Sequence, residues 1–154
     1  MINKSYKDGE SINSLKKAMD KDHLIIHNLL NKFEKEISED FEKSKNTFNR
    51  LRWILEKHFF VEEKIIFSVY LSIIDEENEY INKLLMEHEK IFRLLNEIEE
   101  DLLDNKKSDI SEIKLLLRAH SRFEDDFFYP KIDEEISEKE KLKILNRIEE
   151  VIIK

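Results

Sequence analysis

The chain has no cysteine, one glycine and one proline in 154 residues, and each scarcity removes a class of structure. Without cysteine there is no disulfide, no thiolate metal site and no cysteine nucleophile, which fits a reducing, cytoplasmic setting. With so little glycine and proline, the frequent tight turns of sheet-based folds have no source, whereas the plentiful Lys, Glu, Leu and Ile favour long helices. No apolar run is long enough to cross a bilayer, and residues 1–10 are polar, unlike a signal peptide. Neither export nor membrane insertion is expected. The net charge of −8 comes from interleaved acidic and basic residues. A concentrated basic face is missing, so nucleic acid is not expected as a partner, and nothing indicates an oligomer. At this length one domain, 1–154, is expected, with a core that needs no covalent staple.

What is present is helical periodicity. Apolar positions recur in steps of three and four at Ile12, Leu15, Met19, His23, Ile26, Leu30, Phe33 and Ile37, which predicts helix A with a histidine in its apolar seam. After Ser38-Glu39-Asp40, a second seam through Phe48, Leu51, Leu55, His58, Glu62, Ile65 and Val69 predicts helix B over 41–70. Asp75 is the expected N-cap of helix C, whose seam is Ile81, Leu84 or Leu85, His88, Ile91 or Phe92, Leu95, Ile98 and Leu102 and which ends near Asp104-Asn105. Helix D begins at Ser108 or Asp109 and carries Ile110, Ile113, Leu117, His120, Glu124 and Phe127, with Pro130 marking a stop or kink. A capping box, Ser137-x-x-Glu140, opens a last helix over 137–154 with Leu142, Leu145, Ile148 and Val151 or Ile152 inward. Short connections imply an all-α, antiparallel up-down-up-down four-helix bundle with a short C-terminal fifth helix.

Four of the five histidines, His23, His58, His88 and His120, occupy seam positions near the middle of four different helices. Counted from the turns that join neighbouring helices, their heights differ by about one turn or less, so the four imidazoles can converge. Glu62 follows His58 by four residues and Glu124 follows His120 by four, which puts each pair on one helix face. Helices B and D run in the same direction, so both glutamates shift the same way along the bundle and can bridge. One buried histidine is commonly a hydrogen-bonded core residue. Four of them with two glutamates would leave several buried polar groups unpartnered, at about 1–3 kcal/mol each, unless a metal is bound. Imidazoles with carboxylates suit iron, zinc or manganese, and two bridging carboxylates suit a pair of ions. His27 lies at the flank of its seam, beside the metal shell or at the surface. Glu63, Asp125 and Asp126 are expected at the surface or as acceptors for a ligand histidine's other N–H. Glu87 and Glu89 fall off the seam and are read as solvated. The aromatics Trp53, Phe59, Phe60, Phe67, Phe92, Phe123, Phe127, Phe128 and Tyr129 crowd the neighbourhood. Most are expected in the core, some lining a dry pocket for small apolar gases.

These residues resemble the hemerythrin-like, or HHE cation-binding, family across nearly the whole chain. The matching segments are Asp22-His23-x-x-Ile26, His58-Phe59-x-x-Glu62-Glu63-x-x-Ile66-Phe67, Glu87-His88-x-x-Ile91 and His120-x-x-x-Glu124-Asp125-x-x-x-Tyr129-Pro130. The resemblance implies a non-heme di-iron centre of two oxo- or hydroxo-bridged iron ions, with His23, His58, His88 and His120 as terminal ligands and Glu62 and Glu124 as bridges. It implies O2, NO or peroxide as the small ligand. Oxygen-carrying members have two histidines one turn apart in helix C, where this chain has Leu84 and Phe92 around His88. The set of four His and two Glu is more similar to members linked to repair of iron centres, nitric oxide response or iron and oxygen sensing. A ferritin-like di-iron bundle would need Glu-x-x-His pairs, and the chain contains none. Two other functions follow from the same residues: a di-iron enzyme or iron donor acting in peroxide or NO reduction or repair, and a metal-free helical interaction module.

Overall fold

The computed structural model describes residues 14–74 and 78–153, and among these there are only helices and their connections. Helix α1 spans Leu15–Glu39. Its N-cap is Ser14, whose hydroxyl accepts from Lys17 N, and Asp133 from the far end of the chain accepts from Leu15 N at 2.9 Å. Two side chains thus serve the free N–H groups of one helix end. The seam position Ile12 lies outside the described residues. The expected three-residue break before the second helix is a single residue, Asp40, whose carboxylate caps α2 (Phe41–Val61) by accepting from Lys43 N.

The second rod is not uniform. After Val61 the backbone takes a π-helical turn over Glu62–Phe67 and resumes as α3 (Ser68–Ile74), four residues beyond the predicted end. A π turn holds one extra residue, so every inward position after it moves on by one. Tyr70 is therefore buried where Val69 was expected, and Val69 is only half-buried. Asp75, the expected cap of the third helix, lies outside the described residues. Asn78 caps α4 (Glu79–Leu103), its side chain accepting from Tyr80 N and Ile81 N. That helix ends where expected, with Asn105 in the left-handed region at φ 57° and Lys106 N bonded back to Asp101 O. Asparagine tolerates this backbone better than most residues.

Helix α5 spans Ser111–Phe123, slightly later than predicted, because Asp109 uses its carboxylate on Ser111 N instead of opening the helix itself. A second π turn follows over Glu124–Phe128, and α6 (Tyr129–Glu135) continues the rod. Once more the register advances by one: Phe128 is wholly buried, and Phe127, the expected seam residue, is 40 % exposed. Pro130 neither stops nor breaks the rod. It lies directly after the π turn, in a backbone that stays helical through Phe128 and Tyr129. The reciprocal bonds Ser137 N–Glu140 Oε1 and Glu140 N–Ser137 Oγ open α7 (Glu138–Ile153) as the capping box requires. Its inward stripe is Lys141, Ile144 and Ile148, while Leu142 faces solvent.

The four rods form the expected bundle, with α7 packed on one end. Two apolar clusters fill it. One joins Ile26–Ile37, Phe48–Phe59, Ile91–Leu102 and Ile110–Leu117 near the two short turns. The other joins Leu15, Met19, Ile66, Phe67, Tyr70, Ile81, Leu84, Phe128, Tyr129, Ile132, Ile144 and Ile148 at the opposite end. Each large apolar side chain buried in these clusters contributes about 1.5–3 kcal/mol. Between them lies a layer made of His23, His58, Glu62, His88, His120 and Glu124, all buried.

Candidate metal centre

The structure brings all six sequence-predicted side chains into that one layer. They form two groups of donor atoms, His23/His58/Glu62/Glu124 and Glu62/His88/His120/Glu124, each with its atoms within 4.8 Å of one another. Both glutamates belong to both groups. Glu62 Oε1 lies 3.0 Å from His88 Nε2, and Oε2 lies 3.4 Å from His58 Nε2. Glu124 Oε1 lies 3.0 Å from His23 Nε2, and Oε2 lies 3.3 Å from His120 Nε2. Each carboxylate thus spans the two groups with one oxygen toward each. Each π turn begins at one of these glutamates, in keeping with the tendency of π turns to occur at functional sites.

All four imidazoles turn Nε2 inward and Nδ1 to a carboxylate on another helix. Asp22 on α1 meets His58 Nδ1 at 3.1 Å, Glu63 on the second rod meets His88 Nδ1 at 2.7 Å, Glu87 on α4 meets His120 Nδ1 at 2.6 Å, and Asp125 on the fourth rod meets His23 Nδ1 at 2.9 Å. The pattern closes a ring, with each helix orienting the histidine of the next. An Nδ1–H held by a carboxylate aims Nε2 inward, and once that nitrogen gives up its proton its lone pair is the one that binds a cation. Glu87 is therefore not a solvated residue but a direct partner of His120. Its signal was in the sequence: Asp22, Glu63, Glu87 and Asp125 each stand next to an inward donor.

Tyr129 is the residue whose role the seam did not reveal. It is fully buried and its hydroxyl donates to Glu62 Oε2. The register step of the second π turn carries it inward. His27 belongs to neither donor group. It is half-buried, sits 3.1 Å from Ser121 Oγ, and lines a cavity of about 410 Å³ with Arg118, Arg122, Asp125 and Asp126. Among the aromatics, Phe59 stacks on His88 with ring centroids 3.8 Å apart, and Phe67 and Phe128 are buried below the layer. Trp53, Phe60 and Phe127 instead face solvent at 60, 50 and 40 % exposure, so they are neither core nor lining of a gas pocket.

The electrostatics describe a site with bound protons where a cation fits. Burial opposes the charged form of His58, but Glu62 and Asp22 outweigh it and raise its pKa to about 10. For His120 the opposing desolvation is outweighed by Glu124 and Glu87, again to about 10. For His23 it is outweighed by Asp125 and Glu124, to about 9. Burial would raise Glu62, yet the adjoining His58 holds it well below the usual carboxylate range, and Glu87 falls to about 2 beside His120. Even so, protons do not complete the site. His120 Nε2 and both oxygens of Glu124 have no hydrogen-bond partner, because the close approaches of Glu124 lack hydrogen-bond geometry. Buried native polar groups are rarely left so, and a cation among these nitrogen and oxygen donors would satisfy all three.

An all-α bundle with a buried layer of four histidines and two shared glutamates defines a cation-binding class of protein. Residues 14–132 match the family described as Hemerythrin HHE cation binding domain, and the chain belongs to that family. No curated protein and no solved structure matches the chain. No helix among the described residues is long and apolar enough to cross a membrane.

Proposed function

We propose that this chain is a non-heme di-iron-binding protein that takes up O2, NO or peroxide as its small ligand. The observation that carries the reading is the sharing of Glu62 and Glu124 between the two donor groups, since a single ion would need only one group. His23 and His58 would hold one ion and His88 and His120 the other, with the glutamates between them. Four protein donor atoms for each of two ions leave coordination positions open to a small ligand. A bound iron pair supplies the change of oxidation state that such ligands require. The protein's own residues supply the rest. Asp22, Glu63, Glu87 and Asp125 fix the imidazole tautomers. Phe59, Phe67 and Phe128 surround the layer with apolar surface that excludes water. Tyr129 holds its proton on Glu62 Oε2.

A metal-free interaction module accounts less well for the layer, because it leaves the atoms of His120 and Glu124 without partners. Anaerobic loading of the full chain with Fe2+, followed by metal analysis and absorption spectra with and without O2 and NO, tests the proposal. About two iron ions per chain and spectra that respond to either gas are expected. Fewer than about one ion per chain would overturn it.

A further inference from the structure

We infer, resting on the two-cation reading above, that the two positions load in order, His88/His120 first and His23/His58 second, and that Tyr129 is the positioning residue that separates them. The donors of the two positions stand in different states before any ion arrives. At the His88/His120 position, His120 Nε2 and the nearby Glu124 Oε2 have no hydrogen-bond partner. The one bond a cation must break there is His88 Nε2 to Glu62 Oε1, at 3.0 Å. At the His23/His58 position, the two nitrogens that would face the ion lie within hydrogen-bond distance of each other, His23 Nε2 and His58 Nε2 at 3.1 Å, with a proton of one ring between them that the ion must displace. Each position therefore gives up one hydrogen bond, but the first relieves two unpartnered atoms and the second only Glu124 Oε1.

The phenol widens the gap. Glu62 Oε2, the oxygen that faces His58, already accepts from the Tyr129 hydroxyl. Tyr129 is wholly buried, so its O–H has no solvent to turn to and stays on that oxygen. A carboxylate oxygen that holds a hydrogen bond offers less electron density to a cation. No hydroxyl donates to Glu124, whose oxygens face His23 Nε2 and His120 Nε2, so the two glutamates, alike in sequence context, differ as ligands. Because Glu62 Oε1 points to His88 and carries no phenol, the weakening falls on one position only.

Calorimetric titration of the full chain with Fe2+ under anaerobic conditions reads the order directly. The wild type is expected to bind two ions in two steps, the first at least about tenfold tighter. Tyr129→Phe keeps the ring and removes the hydroxyl. It should tighten the second step by about tenfold, equivalent to about 1.4 kcal/mol, and leave the first in place. Tyr70→Phe removes an equally buried hydroxyl that donates to Glu135 away from the layer, and both steps should stay where they are. His120→Ala should abolish the tight step and His58→Ala the loose one, which locates the steps even if Tyr129→Phe fails to fold. Two ions binding with one affinity, a second step unmoved in Tyr129→Phe, or loss of the tight step in His58→Ala would overturn the inference while leaving the two-cation reading intact. Absence of any binding by the wild type would instead overturn that reading.

Discussion

The two halves of the bundle on either side of the histidine layer obey different rules. Toward the Asp40 and Asp104 turns, every rod is a regular α-helix, and the inward residues, from Phe33 and Phe48 to Leu95 and Leu117, fall where a 3.6-residue period places them. Beyond the layer, two of the four rods contain π turns, a proline lies within one of them, and a fifth helix covers the end. The first half is packed at one constant period and the second is shaped around the layer. The difference teaches that apolar packing and the polar layer are set by different parts of the chain, so substitutions on each side should separate stability from cation affinity.

The largest effect on stability is expected in the regular half. Phe33→Ala, at a fully buried position, should cost about 3–5 kcal/mol in chemical unfolding. The folded fraction should still bind two ions per chain, and a lowered ion count would mean that the halves are not separable. On the other side, deletion of the exposed Lys64 within the first π turn should let that rod return to regular α geometry. Helix content should hold by circular dichroism, while Fe2+ affinity falls by at least about tenfold because Glu62 and Glu63 leave their positions. An unchanged affinity would show that the π turn has no part in shaping the layer.

Acidity should sharpen the contrast further. In the metal-free chain His23, His58 and His120 titrate at about 9, 10 and 10, above their ordinary 6.5. Their contribution to stability is thus complete below about pH 6.5 and lost as pH rises through about 9 to 10. Glu87, depressed to about 2, contributes above about pH 4.5 and stops doing so as pH falls through about 2. Cation binding must displace the imidazole protons, so its affinity rises over the same alkaline range in which the metal-free chain weakens. The Tm difference between zinc-loaded and chelator-treated protein should therefore widen from pH 6 to pH 9, each bound ion adding about 2.7 kcal/mol of stability where free zinc is a hundredfold above its Kd. A gap that stayed constant would exclude imidazole protons as the competitors. The ring of outer carboxylates narrows the comparison to a single position, and the smallest effect lies just outside that ring. Glu87→Gln should leave two ions bound but lower affinity at the His120 position by about 10–100-fold, whereas His27→Ala should leave affinity and stoichiometry unchanged.

Much of this was legible in the residue order. Histidines at one seam position in each of four helices, and glutamates four residues after two of them, required only helical periodicity to be placed on one level. The outer carboxylates were readable too, as acidic neighbours of inward donors, although Glu87 was assigned to solvent because it falls off its own helix's seam. What it contacts is His120 on the next helix, a relation that no single-helix period contains. Val69, Phe127 and Leu142 depart from their seams for a different reason. A seam read at a constant period has no means of detecting a π turn upstream, or the angle at which a fifth helix lies down.

By itself, then, the sequence determined the helices, the bundle and the identity of the six inward donors, because helix formation and facing are local consequences of residue spacing. The tertiary structure alone decided which carboxylate holds which imidazole, that Tyr129 reaches Glu62 while no hydroxyl donates to Glu124, and where the register slips. Those outcomes depend on contacts between helices, and only packing fixes the rotation and height of one rod against another.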